Sequence, residues 1–392
     1  MTDIINIYKK YQAQTFPSPS LLHVKSASGS YIKDYDNKEY LDFVAGVSAC
    51  SLGHCNEQVT TAVQDQINKY SHVMVYGEYI QDPQYKLAKL LADNLPDSLS
   101  TTYFTNSGAE AIEGAIKLSK RINKRSEIIF CKNSYHGSTH GALSIMGNEE
   151  YKSNYRPLLP NCNQIIYNNI ESLKKITDKT SAVVVETIQG ASGFIEASQD
   201  FLNQLKKICS VNDVLIIFDE IQTCFGRTGK LFGFENTNLI PDILCIAKGM
   251  GGGFPIGAFI SSWDNMNKLT HNPKLGHITT FGGHPIGCVA SHATLDYILN
   301  NNIIKDINEK EMLFRELLVH KKIRSISGKG LMLSLDLYDN LETNKIVENC
   351  MKDGLLLFYF LFNDSSIRIT PPLTITLDEI QKGCEILLKN LD

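Results

Sequence analysis

The chain has 392 residues, 43% hydrophobic and 20% charged, a composition that suits a globular protein of two domains with ample core. Its formal net charge of -4, with lysine and arginine scattered along the whole length, leaves no basic stripe for a phosphate backbone and argues against a nucleic-acid partner. No window reaches the ~20 continuous apolar residues of a membrane helix, so no membrane partner is expected.

The opening stretch, MTDIINIYKKYQAQ, has neither the apolar core nor the small-residue cleavage site of a secretion signal, which points to the cytoplasm. The ten cysteines are dispersed, several of them inside apolar runs, with no C-x-x-C pair and no metal-ligand spacing. They read as reduced core thiols, and no metal site is expected. Residues 29–44 alternate polar and apolar around Asp36-Asn37, as a β-hairpin does. Residues 102–120 read as a strand, the turn Asn106-Ser107-Gly108, and a helix carrying Ala109, Ile112, Ala115 and Ile116.

Four apolar runs follow, EIIFC (127–131), SAVVVE (181–186), VLIIFDE (214–220) and DILCIAKG (242–249). They are continuous rather than alternating, which is how strands covered on both faces of a parallel sheet read. Between them lie stretches of helical spacing, such as residues 201–213 with Phe201, Leu202, Leu205 and Ile208. The alternation predicts an α/β fold. From about residue 290 onward the pattern gives two amphipathic helices, a short strand at LMLSLDL and the segment SIRITPPL. We expect an N-terminal segment of a small α+β domain over 1–51, a large domain over 52–290, and the rest of the small domain over 291–392.

In open α/β sheets ligands bind beyond the carboxyl ends of the strands. There the runs deliver Glu186, then Asp219 and Glu220, then Lys248 with its following glycines. A lone lysine after a strand is ordinarily a solvated charge. One that is desolvated has a lowered pKa and becomes nucleophilic, as Schiff-base chemistry requires. A carboxylate at a strand end is ordinarily a helix cap or a salt-bridge partner. Beside a pyridine ring it keeps the ring nitrogen protonated, so that the ring can withdraw electrons. Lysine and aspartate together thus form a pyridoxal 5'-phosphate constellation, with the helix start at Ser107-Gly108 as a phosphate seat. Ser107 could equally cap that helix.

The segments TNSGAEAIEGAIKL, YHGSTHGAL, VVVETIQG, FDEIQTCFGRTG, AKGMGGGFPIGA and TTFGGHPIGCVA occur in order between residues 105 and 290. In order and spacing they resemble the class III pyridoxal-phosphate-dependent aminotransferases, the group of ornithine, acetylornithine, 4-aminobutyrate and other ω-amino transaminases and of glutamate-1-semialdehyde aminomutase. The likeness extends from about residue 30 to residue 373. It implies fold type I, a large domain with a mostly parallel sheet covered by helices, plus a smaller α+β domain. It also implies that Lys248 is the Schiff-base lysine and proton shuttle, Asp219 the partner of the pyridine nitrogen, and Gln222 the ligand of the ring's 3'-oxygen. Ser107, Gly108 and Ala109 match the phosphate turn and Tyr135 the stacking aromatic residue, with His136 and Glu186 near the cofactor. Thr280 matches a threonine that reaches the phosphate of the neighbouring subunit, implying a homodimer with shared sites. Arg368 matches the arginine that clamps a substrate carboxylate.

Two positions depart from the family pattern. Ser138 stands where ornithine, acetylornithine and 4-aminobutyrate enzymes usually have an arginine that grips a donor carboxylate. Ala191 stands where they usually have a glutamate that covers the second arginine. Either other residues, such as Tyr76 and Tyr79, supply the binding, or the donor is an amine or unusual ω-amino compound. Smaller departures, at Thr187 and His284, carry no interpretation. The expected activity is ping-pong transfer of an amino group to a 2-oxo acid. An aminomutase or a non-catalytic protein of the same fold are the alternatives. The glycine runs match neither G-x-G-x-x-G at a strand-to-helix turn nor G-x-x-x-x-G-K-[ST], which argues against a dehydrogenase or an NTPase.

Overall fold

The computed structural model describes residues 2–338 and 343–392. Its centre is a seven-stranded sheet: β1 (Thr101–Thr105), β2 (Glu127–Cys131), β3 (Cys162–Ile165), β4 (Thr180–Glu186), β5 (Leu215–Asp219), β6 (Ile243–Ile246) and β7 (Gly257–Ser261). The strand order is β1-β7-β6-β5-β4-β2-β3. All neighbours pair in parallel except β7, which runs antiparallel to both β6 and β1.

The continuous apolar runs of the sequence are these buried strands. Along β4, Val183 and Val185 enter a cluster on one face with Phe218 of β5 and Leu244 of β6. Ala182 and Val184 enter a cluster on the other face with Ile217 and Cys245. Alternate side chains leave a strand on opposite faces, so a strand covered twice needs apolar residues at every position. The helix Gly108–Asn123 supplies Ile112, Ala115 and Ile116 to the second of these faces. The helix Gln199–Asn212 supplies Phe201, Leu202 and Leu205 to the first.

The two ends of the chain build a separate core. The hairpin expected over 29–44 is present: Tyr31–Asp34 pairs antiparallel with Glu39–Asp42, and Asp34 Oδ1 accepts from the amides of Asp36 and Lys38 in the turn. Leu41 and Phe43, at its end, pack in one cluster with Leu333, Ile369 and Leu387. Leu387 comes from the C-terminal helix, while Leu333 and Ile369 belong to a four-stranded sheet in which Met332–Leu337 lies between Ile323–Lys329 and Ser366–Ile369, and Phe358–Tyr359 forms one edge. The C-terminal region holds more helices than the two expected. Ile303–Leu317, Thr343–Lys352 and Leu377–Lys389 are all helical, and each buries one apolar stripe. Seven of the ten cysteines are buried. Among the described residues no helix is long and apolar enough to cross a membrane.

Candidate active site

The carboxyl ends of β4, β5 and β6 lie side by side in the sheet. Glu186 pairs in register with Asp219, and Asp219 with Cys245, three residues before Lys248. A cavity of about 690 Å³ opens over this rim, and Glu186, Asp219 and Lys248 all line it. Lys248 has a left-handed backbone (φ 47°), an unfavourable conformation for a side chain of that size, held at the point where β6 gives way to the glycine loop. Val47, which also lines the cavity, is held likewise at φ 59°.

The electrostatics follow from burial. Desolvation, and then the nearby Arg368 guanidinium, lower the Lys248 amine to about 8, against the opposing pull of Asp219 and Glu186. Burial raises Glu186 to about 7; His136 opposes the rise and Asp219 adds to it. Its Oε1 accepts from the Gly190 amide at 2.9 Å. His136 Nδ1 lies 2.7 Å from Asp219 Oδ2, with the imidazole fully enclosed. Burial works against a charged ring there, yet the bond to Asp219 and the charges of Asp219 and Glu186 outweigh it, and the His136 pKa is raised. Asp219 Oδ1 accepts from the Ile221 amide at 3.0 Å.

The strand, turn and helix expected at 102–120 are β1 and the helix from Gly108. Ser107 caps the helix by accepting from the Glu110 amide at 3.2 Å. Gly108 and Ala109, whose first-turn amides lie outside the helical ladder, line the cavity with Ser107. A side chain on Gly108 would come within 2.7 Å of Ile221 Cδ1, so close approach of the turn to that residue requires glycine. Tyr135 lines the cavity, with its hydroxyl 3.2 Å from Ser138 Oγ. Gln222 lines it too and donates from Nε2 to Ser48 Oγ at 3.1 Å.

Arg368 enters the cavity from the C-terminal sheet. It is buried, donates from Nη2 to the Gly190 carbonyl at 3.0 Å, and lies over the rings of Phe194 at 5.2 Å and Phe360 at 4.8 Å. Burial lowers it to about 10, which leaves it charged at neutral pH.

Ten of the eleven residues singled out from the sequence therefore line one cavity: Ser107, Gly108, Ala109, Tyr135, His136, Glu186, Asp219, Gln222, Lys248 and Arg368. Thr280 does not; it is exposed outside the cavity, beside Thr279, which accepts from Asn106 Nδ2 at 2.8 Å. Glu220, expected at the rim, points away from it. Its carboxylate accepts from the amides of Gly233 and Phe234, because consecutive strand residues face opposite sides. Tyr76 and Tyr79 lie apart, in a groove with Thr279. Sequence reasoning missed the apolar wall formed by Phe358, Tyr359 and Leu361, which only the tertiary fold brings to the cavity.

The donor set fits pyridoxal phosphate. An amine and a carboxylate share the cavity with a tyrosine ring, and a helix start is open to an anion. The buried Arg368 Nε, always a donor, has no hydrogen-bond partner among the described residues, and neither has His136 Nε2.

Comparison with known proteins agrees with this geometry. The family Aminotransferase class-III matches residues 12–391. An acetylornithine aminotransferase of Caldanaerobacter subterraneus subsp. tengcongensis is 38% identical over 98% of this chain and 98% of its own length. One of Clostridium acetobutylicum is 34% identical over 93% of this chain and 94% of its own. Among solved structures, the ornithine aminotransferase of Toxoplasma gondii superposes with a TM-score of 0.92 at 26% identity, covering 99% of this chain and 94% of that one. The adenosylmethionine-8-amino-7-oxononanoate aminotransferase of Methanocaldococcus jannaschii gives 0.90 at 26% identity, covering 100% and 99%. The chain belongs to the class III aminotransferases, transaminases of fold type I that depend on pyridoxal phosphate.

Proposed function

We propose that this transaminase moves a terminal amino group from its donor to a 2-oxo acid such as 2-oxoglutarate or pyruvate, in two half-reactions that share one cavity. The observation that carries the reading is the convergence of Lys248, Asp219 and Glu186 from three adjacent strand ends, with Arg368 facing the same space. The donor class is either ornithine-like, in keeping with the acetylornithine aminotransferases named above, or an amine or unusual ω-amino compound.

Pyridoxal phosphate, when bound, supplies an aldehyde that receives the amino group and a ring that stabilises negative charge. The chain's own residues do the rest. Lys248 Nζ, lowered to about 8, spends an appreciable fraction of its time neutral at physiological pH and can take a proton from carbon and return it. Asp219, fixed by His136 and the Ile221 amide, keeps lone pairs for a ring nitrogen. Gln222 and Tyr135 would hold the ring, through its oxygen and its face, and Ser107, Gly108 and Ala109 would receive the phosphate. Arg368 grips the carboxylate of the 2-oxo acid.

The assembly belongs to the same reading: a homodimer in which Thr280 of the partner subunit completes each phosphate site. The exposure of Thr280 away from its own cavity supports it, as does the band of exposed apolar residues nearby, Ile80, Ile278 and Phe281.

Incubating the purified holoenzyme with a panel of ω-amino acids and amines, against 2-oxoglutarate or pyruvate, tests the proposal. It expects glutamate or alanine to form together with a free aldehyde or keto acid. Isomerisation of one substrate without a second would mean an aminomutase, and no reaction with any pair would overturn the reading.

A further inference from the structure

We infer that Ser48 is a positioning residue: a left-handed turn of the backbone holds its hydroxyl against Gln222 and so fixes the amide that faces the cofactor, a role that rests on the reading of Gln222 given above.

Ala45, Gly46, Val47 and Ser48 all have positive φ, at 48°, 60°, 59° and 67°. L side chains disfavour that region, and only one of the four residues is glycine. Val47, branched at Cβ, is the least suited to it. A bare reversal of the chain would be served more easily by glycine at each position, so the side chains here are kept against the preference of the backbone.

Tertiary bonds hold the turn. Asp42 Oδ1 accepts from the amides of Val44 at 2.8 Å and Ala45 at 3.0 Å, and Asp42 Oδ2 lies 2.8 Å from His54 Nε2. Thr370, two residues beyond Arg368, donates from Oγ1 to the Val44 carbonyl at 3.1 Å. On the other side the Gly253 amide donates to the Ala49 carbonyl at 3.1 Å. A Cβ on Gly249 would lie 2.3 Å from Ser51 Oγ, so the segment presses directly on the loop after Lys248. The turn is thus clamped between the N-terminal hairpin, the strand of Arg368 and the glycine loop.

The clamp delivers one polar atom to the cavity lining. Ser48 is buried, and its Oγ accepts from Gln222 Nε2 at 3.1 Å. The amide nitrogen carries two hydrogens, and this bond takes one of them. Gly190 packs on the same side chain, where a Cβ would come within 2.5 Å of Gln222 Oε1. Confined at both atoms, the Gln222 amide keeps its plane, and the second Nε2 hydrogen remains for an acceptor in the cavity that Gln222 lines. A donor ordered in advance binds its acceptor without the cost of being immobilised.

The test titrates pyridoxal phosphate into the full-length protein freed of cofactor, reading Kd from absorbance, and measures Tm of the same proteins. Ser48→Gly removes the hydroxyl and relieves the backbone together, so binding and stability should part. Its Tm is expected at or above that of the parent, while Kd rises about three- to tenfold, the size of one hydrogen bond. Ser48→Ala keeps a side chain in the left-handed region and should show the same rise in Kd with a Tm below that of Ser48→Gly. With Gln222→Ala already present, neither substitution should change Kd more than about twofold. An unchanged Kd in Ser48→Gly, a rise of equal size without Gln222, or a Ser48→Gly protein less stable than Ser48→Ala would overturn the inference. Gln222→Ala alone separates the two levels: if it weakens cofactor binding and Ser48→Gly does not, only the role of Ser48 fails, and if it leaves Kd unchanged, the reading of Gln222 beneath it fails.

Discussion

His136 donates from Nδ1 to Asp219 Oδ2 across 2.7 Å, and the two side chains are buried together. The imidazole comes from the loop after β2 and the carboxylate from the end of β5, so the bond joins elements far apart in sequence. It fixes the carboxylate plane, and the carboxylate in turn raises the pKa of the ring against the effect of burial.

Replacing that ring tests the relationship. His136→Phe is expected to lower kcat/KM by roughly 10- to 150-fold, the equivalent of about 1.5–3 kcal/mol for a hydrogen bond to a charged group. The pH at which the bound cofactor's absorbance titrates should shift as well, which a loss of packing alone would not produce. Steady-state kinetics with a pH-resolved spectrum checks both.

The proposed role of Lys248 predicts how cofactor uptake depends on pH. Its amine is lowered to about 8 by burial and by Arg368, and only the neutral amine attacks an aldehyde. The rate at which cofactor-free protein takes up pyridoxal phosphate should therefore climb about tenfold per pH unit below 8 and level off above it. Stopped-flow absorbance between pH 6 and 9.5 reads this directly.

The Arg368 guanidinium is a flat fork that lies over the rings of Phe194 and Phe360, a seat that a lysine ammonium cannot occupy in the same way. Arg368→Lys is expected to cost about 2–5 kcal/mol of transition-state binding with 2-oxoglutarate, a fall of roughly 30- to several-thousand-fold in kcat/KM. The effect on the first half-reaction with an amine donor that has no carboxylate should be far smaller.

His54 and Asp42 link the N-terminal hairpin to the loop that carries Val47. Nε2 of His54 lies 2.8 Å from Asp42 Oδ2, and that bond, then the Cys50 thiol, raise His54 to about 10 despite partial burial. A histidine raised in the folded state contributes stability that is complete below its ordinary value near 6.5 and is lost as the pH climbs through about 10. Asp42→Asn should therefore lower stability by roughly 1.5–3 kcal/mol at neutral pH and by much less at pH 10.5. Tm measured for both proteins across that range gives the answer.

The strands β2, β4, β5 and β6 were readable in the sequence because burial on both faces demands apolar residues at every position. β3 was not, since Cys162, Asn163 and Gln164 form a half-buried edge strand with a polar sequence. β7 was hidden behind the glycine loop, and its short run, GAFIS, is buried only because it fits between β1 and β6. The lysine and aspartate were readable from their places at strand ends. Glu220 shows the limit: strand alternation already implies that Asp219 and Glu220 face opposite sides, and that signal distinguishes the rim residue from the one that binds the Gly233 turn. The wall of Phe358, Tyr359 and Leu361 gave no local sign, because its position depends on how the C-terminal sheet lies against the cavity.

One measurement bears most directly on the central claim that Lys248 holds the cofactor opposite Asp219. Borohydride reduction of the holoenzyme, followed by proteolysis and mass spectrometry, reveals which lysine carries a pyridoxyl group. The account predicts a single modified peptide containing Lys248, with the label lost in Lys248→Ala. A pyridoxyl group on any other lysine, or full labelling of the variant, would contradict it.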